Sequence, residues 1–554
     1  MNRAIGILSV IAAIVVILCI ITWNNNRMME LQNNSNMMVN SSEDSSNTKK
    51  DEVSEVETEE EKEKEVEPQP TTQTNSSDNL KVFNLITEET ETEIAKGVIL
   101  PTWTYGGTVP GTEIRVTEGD LVQVNVTNNL EVPITIHWHG YPVTSDMDGI
   151  PGLTQDAILP GQTFTYEFPA DVTGTYWYHS HQESSKQVDM GLYGALIVEP
   201  KDQQVVDKDY TFILDEWMEN SEEAMTMSDD NSEMSGMEGM GGMESTDSVM
   251  EEMGGTDPEL LEEEMMKELY NIYTVNGKSG ELIQPIEVEQ GDIVRLRFIN
   301  AGYRTHGIHI PEEMIKVVST DGQDIKGAEE FLNQIIEIAP GERYDIEFKV
   351  QSEDDFVIDF HDDNLYNEQL NIPVKVLDGS GAVIQEDQDQ ELPYFDLTSY
   401  GSYLKGELSL EQKYDIDQYI ELNTDAANGS LKYTINGETY QELQPITVKT
   451  DDYIKLTYVN KSQVDHPMHL HGHFFEVLSK NDNPLTGAPI VKDTLLIKPG
   501  EKFVIAFKAD NPGNWIYHCH ELHHAAGGMM QKVVYSDYVS DYIPDPNNEF
   551  NRPE

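Results

Sequence analysis

An internal repeat constrains this chain more than any other feature. Gly111-Thr-Glu-Ile-Arg-Val-Thr-Glu-Gly-Asp-Leu-Val-Gln-Val-Asn-Val returns in outline as Gln284-Pro-Ile-Glu-Val-Glu-Gln-Gly-Asp-Ile-Val-Arg-Leu-Arg-Phe. It returns again as Gln444-Pro-Ile-Thr-Val-Lys-Thr-Asp-Asp-Tyr-Ile-Lys-Leu-Thr-Tyr. Each copy alternates apolar and polar residues around a Gly-Asp or Asp-Asp turn, which is a β-hairpin pattern. A second element recurs as Leu159-Pro160-Gly161, Ala339-Pro340-Gly341 and Lys498-Pro499-Gly500, each leading into another alternating stretch. A chain of 554 residues exceeds what one core supports. The repeat therefore predicts an all-β protein of three related β-sandwiches, at 80–204, 205–390 and 391–545.

Two segments stand outside this pattern. Ala4 to Trp23 is an apolar run of 20 residues preceded by Arg3, which predicts a transmembrane anchor over 1–23 with the remainder exported. A cleaved signal peptide is the competing reading, although no small-x-small site follows the run; lipoprotein attachment at Cys19 is disfavoured by Leu18. Residues 24–79 carry 14 acidic and 5 basic residues with few large apolar ones, and read as a disordered tether. The second segment, 218–268, holds 17 acidic residues, one Lys and 11 of the chain's 22 methionines. Its Gly-Met part reads as a mobile loop. From Asp257 to Tyr270, Pro258 near a helix start and Leu260, Leu261, Met265 and Leu269 at helical spacing predict a helix.

A net charge of -66 argues against nucleic-acid binding. Two cysteines, Cys19 and Cys519, exclude both a disulfide framework and a multi-thiolate zinc site, so metal chemistry falls to the 15 histidines. Those form four clusters: His137-Trp-His139, His179-Ser-His181, His466-Pro-Met-His469-Leu-His471 and His518-Cys519-His520-Glu-Leu-His523-His524. On a strand, residues two apart share a face, so 137/139, 179/181, 469/471 and 518/520 offer eight imidazoles in all. That number predicts a multinuclear cluster. Cys519 points the other way, where it can join His466, His524 and the thioether of Met529 in a His2Cys site with a weak axial Met, the donor set of blue copper.

With these motifs the chain resembles the three-domain multicopper oxidases, over about 80–540. The resemblance implies cupredoxin-like Greek-key sandwiches and four copper ions. Type 1 copper would take His466, Cys519, His524 and Met529; type 2 would take His137 and His469; the type 3 pair would take His139, His179, His181, His471, His518 and His520. It also implies four one-electron oxidations at type 1 relayed through Cys519 to the cluster, where dioxygen becomes two waters. Asp148 resembles the family acid near type 2. The Glu that many bacterial relatives carry after the type 1 His is replaced by Ala525, which leaves Glu521 as a substitute proton donor.

Aligning the middle repeat sets Pro311 in place of an imidazole and matches His361-Asp-Asp to His518-Cys-His, so His306, His309 and His361 read as packing residues and the middle sandwich as copper-free. His473 and His523 read as structural, with a contact to substrate or to a ligand as the alternative. Three functions remain in view: a laccase-like enzyme acting on phenols, a metallo-oxidase acting on Cu(I), Mn(II) or Fe(II), and a copper-binding surface protein without turnover. The third leaves Cys519 between two cluster ligands without a purpose. Methionines spaced every third residue from Met234 to Met243 would suit Cu(I) binding by the insertion.

Overall fold

The computed structural model describes residues 79–202, 206–219, 257–362, 365–384, 391–427 and 430–545, together with 548 and 551. The expected anchor, nearly all of the expected tether and the Gly-Met part of the insertion lie outside the described residues. Among the described residues no helix is long and apolar enough to cross a membrane.

Alternation in sequence becomes alternation in burial: along Leu121–Asn128 every second side chain is buried, with Val122, Val124 and Val126 fully enclosed. Each of three apolar cores draws on two sheets. In the first, strands Leu80–Ala95, Val98–Tyr105, Leu121–Asn128 and Thr163–Pro169 form one sheet, and Ile114–Thr117, His137–His139, Gly174–His179 and Tyr193–Glu199 form the other. The same pairings recur. Leu80–Ala95 lies parallel to Leu121–Asn128, Lys208–Met218 to Ile293–Asn300, and Ile416–Ala427 to Tyr453–Asn460.

The two arms of the sequence repeat do not form hairpins. Ile114–Thr117 belongs to one sheet and Leu121–Asn128 to the other, and the same holds for Ile286–Val288 with Ile293–Asn300 and for Ile446–Val448 with Tyr453–Asn460. The Gly-Asp turn is a corner that carries the chain across the core. Its Asp explains the recurrence: Asp120, Asp292 and Asp452 accept the backbone N–H of Thr117, Glu289 and Lys449 at 2.9, 2.9 and 2.8 Å. The preceding residue takes a positive φ, +83° at Gly119, +96° at Gly291 and +70° at Asp451. Alternation reports which face of each arm is buried and says nothing of which strand it pairs with.

A buried asparagine recurs as well. The Asn128 amide donates to the carbonyls of Val132 and Ile158, Asn300 to Arg304 and Ile338, and Asn460 to Val464 and Ile497, all within 2.6–2.9 Å. In return the Gly of each Pro-Gly turn donates its N–H to the asparagine's carbonyl, at 2.7 Å for Gly161, 2.9 Å for Gly341 and 3.1 Å for Gly500. This staple fixes the turn from which each first histidine motif departs.

Trp177 and Ile197 from the first sandwich, Ile213 and Trp217 from the second and Leu522 from the third share a further apolar cluster. The helix expected at the end of the insertion runs Pro258–Leu269, with the Asp257 carboxylate accepting the Glu259 N–H at 3.2 Å.

Candidate metal centres

Strand pairing sets the three repeats in register. Cys519 lies opposite Met468 and His518 opposite His469; His179 lies opposite His137; in the middle sandwich Phe360 lies opposite Ile308 and Asp359 opposite His309. Phe360 therefore occupies the position of Cys519, and Asp359 that of His518. Matching His361-Asp-Asp to His518-Cys-His is two residues out of register, because it follows the histidine and not the constant spacing from the Pro-Gly turn. The thiolate position of the middle sandwich holds a fully buried phenyl ring.

Each of the middle histidines is paired with a carboxylate. His309 Nδ1 and His361 Nε2 each lie 3.0 Å from the same Asp359 oxygen. His306 is held on opposite ring nitrogens by Asp362 at 3.0 Å and Glu216 at 2.5 Å. Burial opposes its charge, yet the two carboxylates push its pKa up to about 10, so a proton sits where a cation would.

In the third sandwich the equivalent position opens into a three-donor site. His466 Nδ1 and His524 Nδ1 are 3.2 Å apart, and Cys519 Sγ is 3.7 Å from each. All three are buried. The outer ring nitrogens are pinned, His466 Nε2 by the Ser462 hydroxyl at 2.8 Å and His524 Nε2 by Glu521 at 3.0 Å. Burial pushes the Cys519 thiol up and holds the His466 imidazole well below its usual range, so a bound cation is what would draw off the thiol proton. Met529 is enclosed in the same core as Cys519, whereas Met530 packs with Ile150 and Ile516.

Eight further histidines converge between the first and third sandwiches. His137 stacks on His471 and His139 on His469, both with ring centroids 3.8 Å apart. His139, His179 and His520 bring their ligand atoms together, as do His181, His471 and His518, and His137 with His139 and His469. His137 Nε2, His139 Nδ1, His179 Nε2 and His469 Nε2 are buried and face no hydrogen-bond partner, while the opposite nitrogens are occupied. His179 Nδ1 and His518 Nδ1 meet the carbonyls of Ser180 and Cys519 at 2.9 and 2.8 Å. Burial, reinforced by neighbouring rings, holds His139, His179, His471, His518 and His520 well below the usual imidazole value. Neutral rings with one pinned and one bare nitrogen are metal ligands in waiting, and the donor sets, N8 and N2S, suit copper.

Asp148 reaches two of these rings: Oδ1 is 3.2 Å from His137 Nδ1 and Oδ2 is 3.1 Å from His471 Nδ1. Glu521 does not reach the cluster. Its carboxylate caps the Leu522–Ala526 helix and binds His523 and His524, so the structure does not support it as a second acid there. His473 is a packing residue, bonded to Tyr535 OH at 2.6 Å and to the His471 carbonyl at 3.0 Å. His523 lies beside the three-donor site, 3.2 Å from Tyr270 OH. Burial opposes its charge, but Glu521 and Asp189 hold its pKa up to about 9. Residues that sequence reasoning missed also appear here: Asp493 and Thr494 bond His139 and His469, and Arg343 binds Asp493. Their only signal is charge and hydroxyl at the mouth of an apolar strand, which is too common to single out.

The rim of the three-donor site is acidic. Tyr433 lies on His524 with centroids 3.9 Å apart and donates to Glu262 at 3.1 Å. Gln463 N–H donates to Glu259 at 2.6 Å, and Tyr303 to Glu263 at 2.9 Å. These three glutamates belong to the Pro258–Leu269 helix, so the described end of the insertion covers this site.

Three multicopper oxidase family models match the chain, over 86–203, 208–380 and 408–538. The chain belongs to the multicopper oxidase family, copper-dependent oxidoreductases that take electrons from a reductant and pass them to dioxygen. It is 29% identical to multicopper oxidase MmcO of Mycobacterium tuberculosis, covering 79% of this chain and 84% of the relative. It is 24% identical to copper resistance protein A of Escherichia coli, covering 78% and 88%. Among solved structures, Fet3p, a multicopper oxidase that functions in iron import, superposes with a TM-score of 0.66 at 23% identity over 85% of this chain and 94% of that one. A multicopper oxidase from Pseudomonas parafulva superposes with a TM-score of 0.62 at 25% identity, covering 82% and 100%.

Proposed function

We propose that this chain is a metallo-oxidase holding four copper ions, whose reductant is a metal cation, Cu(I) foremost. His466, Cys519, His524 and Met529 would hold type 1 copper, and His137 and His469 type 2. The type 3 pair would divide into His139, His179, His520 and His181, His471, His518, a split that the two convergent triads support. Bound copper supplies the one-electron steps and the site of dioxygen reduction. The chain supplies the rest. The Cys519 side chain ends at the three-donor site and its neighbours His518 and His520 end at the cluster, so a few covalent bonds join the two. Asp148 holds a carboxylate against two cluster imidazoles, where it can carry a proton.

The observation that carries the choice of reductant is the helix bearing Glu259, Glu262 and Glu263 over His524. Carboxylates attract a cation through full charge, whereas a neutral phenol gains only a hydrogen bond of the kind Tyr433 and Tyr303 already make to Glu262 and Glu263. At about 4 Å in water a charge pair is worth about 1 kcal/mol, or about fivefold in affinity per carboxylate. Relatives named copper resistance protein and iron transport oxidase support the same reading. Relatives named laccase keep the phenol reading as the second. The test is parallel turnover of fully copper-loaded protein on cuprous, ferrous and manganous ions and on a phenol. The double variant Glu262→Gln, Glu263→Gln should lose efficiency on metal ions and keep it on the phenol; equal losses on both sink the proposal. The 4–23 run is proposed as an uncleaved anchor presenting the oxidase outside the cell. A full-length protein in the membrane fraction, releasing an active fragment to external protease, is the expected result; a soluble form beginning after Trp23 would replace it.

A further inference from the structure

The two stacked imidazole pairs are each gripped by one carboxylate, and the grips differ. Asp148 holds His137 and His471, whereas Asp493 faces His139 and His469, with Oδ1 3.3 Å from His139 Nε2 and 3.4 Å from His469 Nδ1. Asp493 is locked by a bidentate pair with Arg343, at 2.8 and 2.6 Å, and both side chains are fully buried. Arg343 comes from the middle sandwich, two residues after Gly341. A Cβ on Gly341 would fall 2.8 Å from His520 Cγ and 3.1 Å from His139 Cε1, so the middle sandwich lies directly against ligand rings. Asp321, also from the middle sandwich, accepts the N–H of Asp493 at 3.3 Å and of Thr494 at 3.1 Å.

Thr494 completes the unit. Its hydroxyl donates to Asp493 Oδ1 at 2.8 Å, which leaves its oxygen as an acceptor for His469 Nδ1 at 3.1 Å and His139 Nε2 at 3.2 Å. Both rings must then carry their proton on the side facing Thr494. The bare nitrogens are consequently His139 Nδ1 and His469 Nε2, the two that are buried without a partner. The Thr494 hydroxyl, joined at His469 Nδ1 by the Asp493 backbone carbonyl at 3.1 Å, thus selects opposite tautomers in two stacked rings.

We propose that Arg343 is a positioning residue for the copper cluster: with Asp321 it holds the Asp493-Thr494 pair, which sets the tautomer and plane of His139 and His469. The middle sandwich, whose Phe360 stands at the position of Cys519, is in this way part of the cluster's second layer of support. The inference rests on copper binding at the eight imidazoles.

The test compares wild type with Asp493→Asn, Thr494→Val, Arg343→Lys and Arg343→Met, by copper titration, the intense visible band and the electron paramagnetic resonance of the non-blue copper. Asp493→Asn, Thr494→Val and Arg343→Met should bind cluster copper about 10–100-fold more weakly and show an altered non-blue signal. The visible band should persist, because Cys519 faces the other site. Arg343→Lys, which keeps the charge, should lie between wild type and Arg343→Met. Thr494→Val removes no buried charge, so it reports even if Arg343→Met fails to fold. Wild-type copper affinity and an unaltered non-blue signal in Thr494→Val and Asp493→Asn would overturn the inference, as would Arg343→Lys no better than Arg343→Met. A wild-type protein with no non-blue signal would instead overturn the functional reading.

Discussion

Replacing Asp148 by Asn separates electron entry from dioxygen reduction. The carboxylate accepts from His471 Nδ1 at 3.1 Å, while His137 Nδ1 meets the Asp148 backbone carbonyl at 3.0 Å with Oδ1 3.2 Å away. An amide of the same shape has one oxygen to offer, and its NH2 must face a ring N–H. His137 keeps the backbone carbonyl and the amide oxygen keeps His471, so both bonds survive and what is lost is the negative charge between the two rings. Turning the His471 bond from charge-assisted to neutral is worth about 1 kcal/mol, or about fivefold in copper affinity. The amide also cannot carry a proton, and a positioned acid contributes typically about 10²–10⁴-fold. With copper saturating, the reductant should bleach the visible band at the wild-type rate, because Asp148 does not touch the three-donor site. Return of the band on exposure to dioxygen should slow by about 10²–10⁴-fold. Stopped-flow absorbance measures both halves in one protein. Reoxidation at the wild-type rate refutes the role of Asp148, and equal slowing of both halves shows general damage.

Cys519→Ser removes the only cysteine among the described residues and should abolish both the visible band and dioxygen consumption; a variant that kept either would remove the basis for the three-donor site. Met529→Leu should raise the type 1 potential in a redox titration, since a thioether stabilises Cu(II), while Met530→Leu leaves it unchanged; the opposite result would exchange the two. The His306 ion pairs predict a pH dependence in copper-free protein. Its folded pKa of about 10 is raised above the ordinary 6.5, so its contribution is complete below 6.5 and is lost as pH climbs through 10. Melting temperatures should fall across that window, and less in His306→Gln; parallel curves would exclude the pair as the cause.

The sequence revealed the parts whose signal is local. Alternation marked the strands, and residues two apart on a strand gave eight imidazoles on one side and Cys519 on the other. What it could not reveal depends on partners distant in the chain. The arms flanking the Gly-Asp turn alternate as hairpin arms do, and only the core decides that they join opposite sheets. Aligning the middle repeat on its histidine shifts it by two residues, whereas the distance from Pro340 to Phe360 matches that from Pro499 to Cys519. Asp493 and Arg343 are 150 residues apart, and no pattern in the sequence connects them.

The three sandwiches offer the same positions and fill them differently, and function follows from the filling. Ile134 and Ser180 in the first sandwich stand where the third has His466 and Cys519, so the first contributes cluster ligands and no thiolate site. Among the described residues the middle has His306 but Phe360, and its Asp359 bridges two imidazoles. Only the third sandwich combines both faces on one strand. The cluster needs imidazoles from two sandwiches meeting across an interface, and an interface holds ligand geometry only if something fixes one sandwich against the other. Arg343, buried between Asp493 of the third sandwich and the Thr175 carbonyl of the first at 3.2 Å, spans that junction. Arg343 therefore gives the middle sandwich a mechanical role: it ties the third sandwich to the first where the eight imidazoles meet.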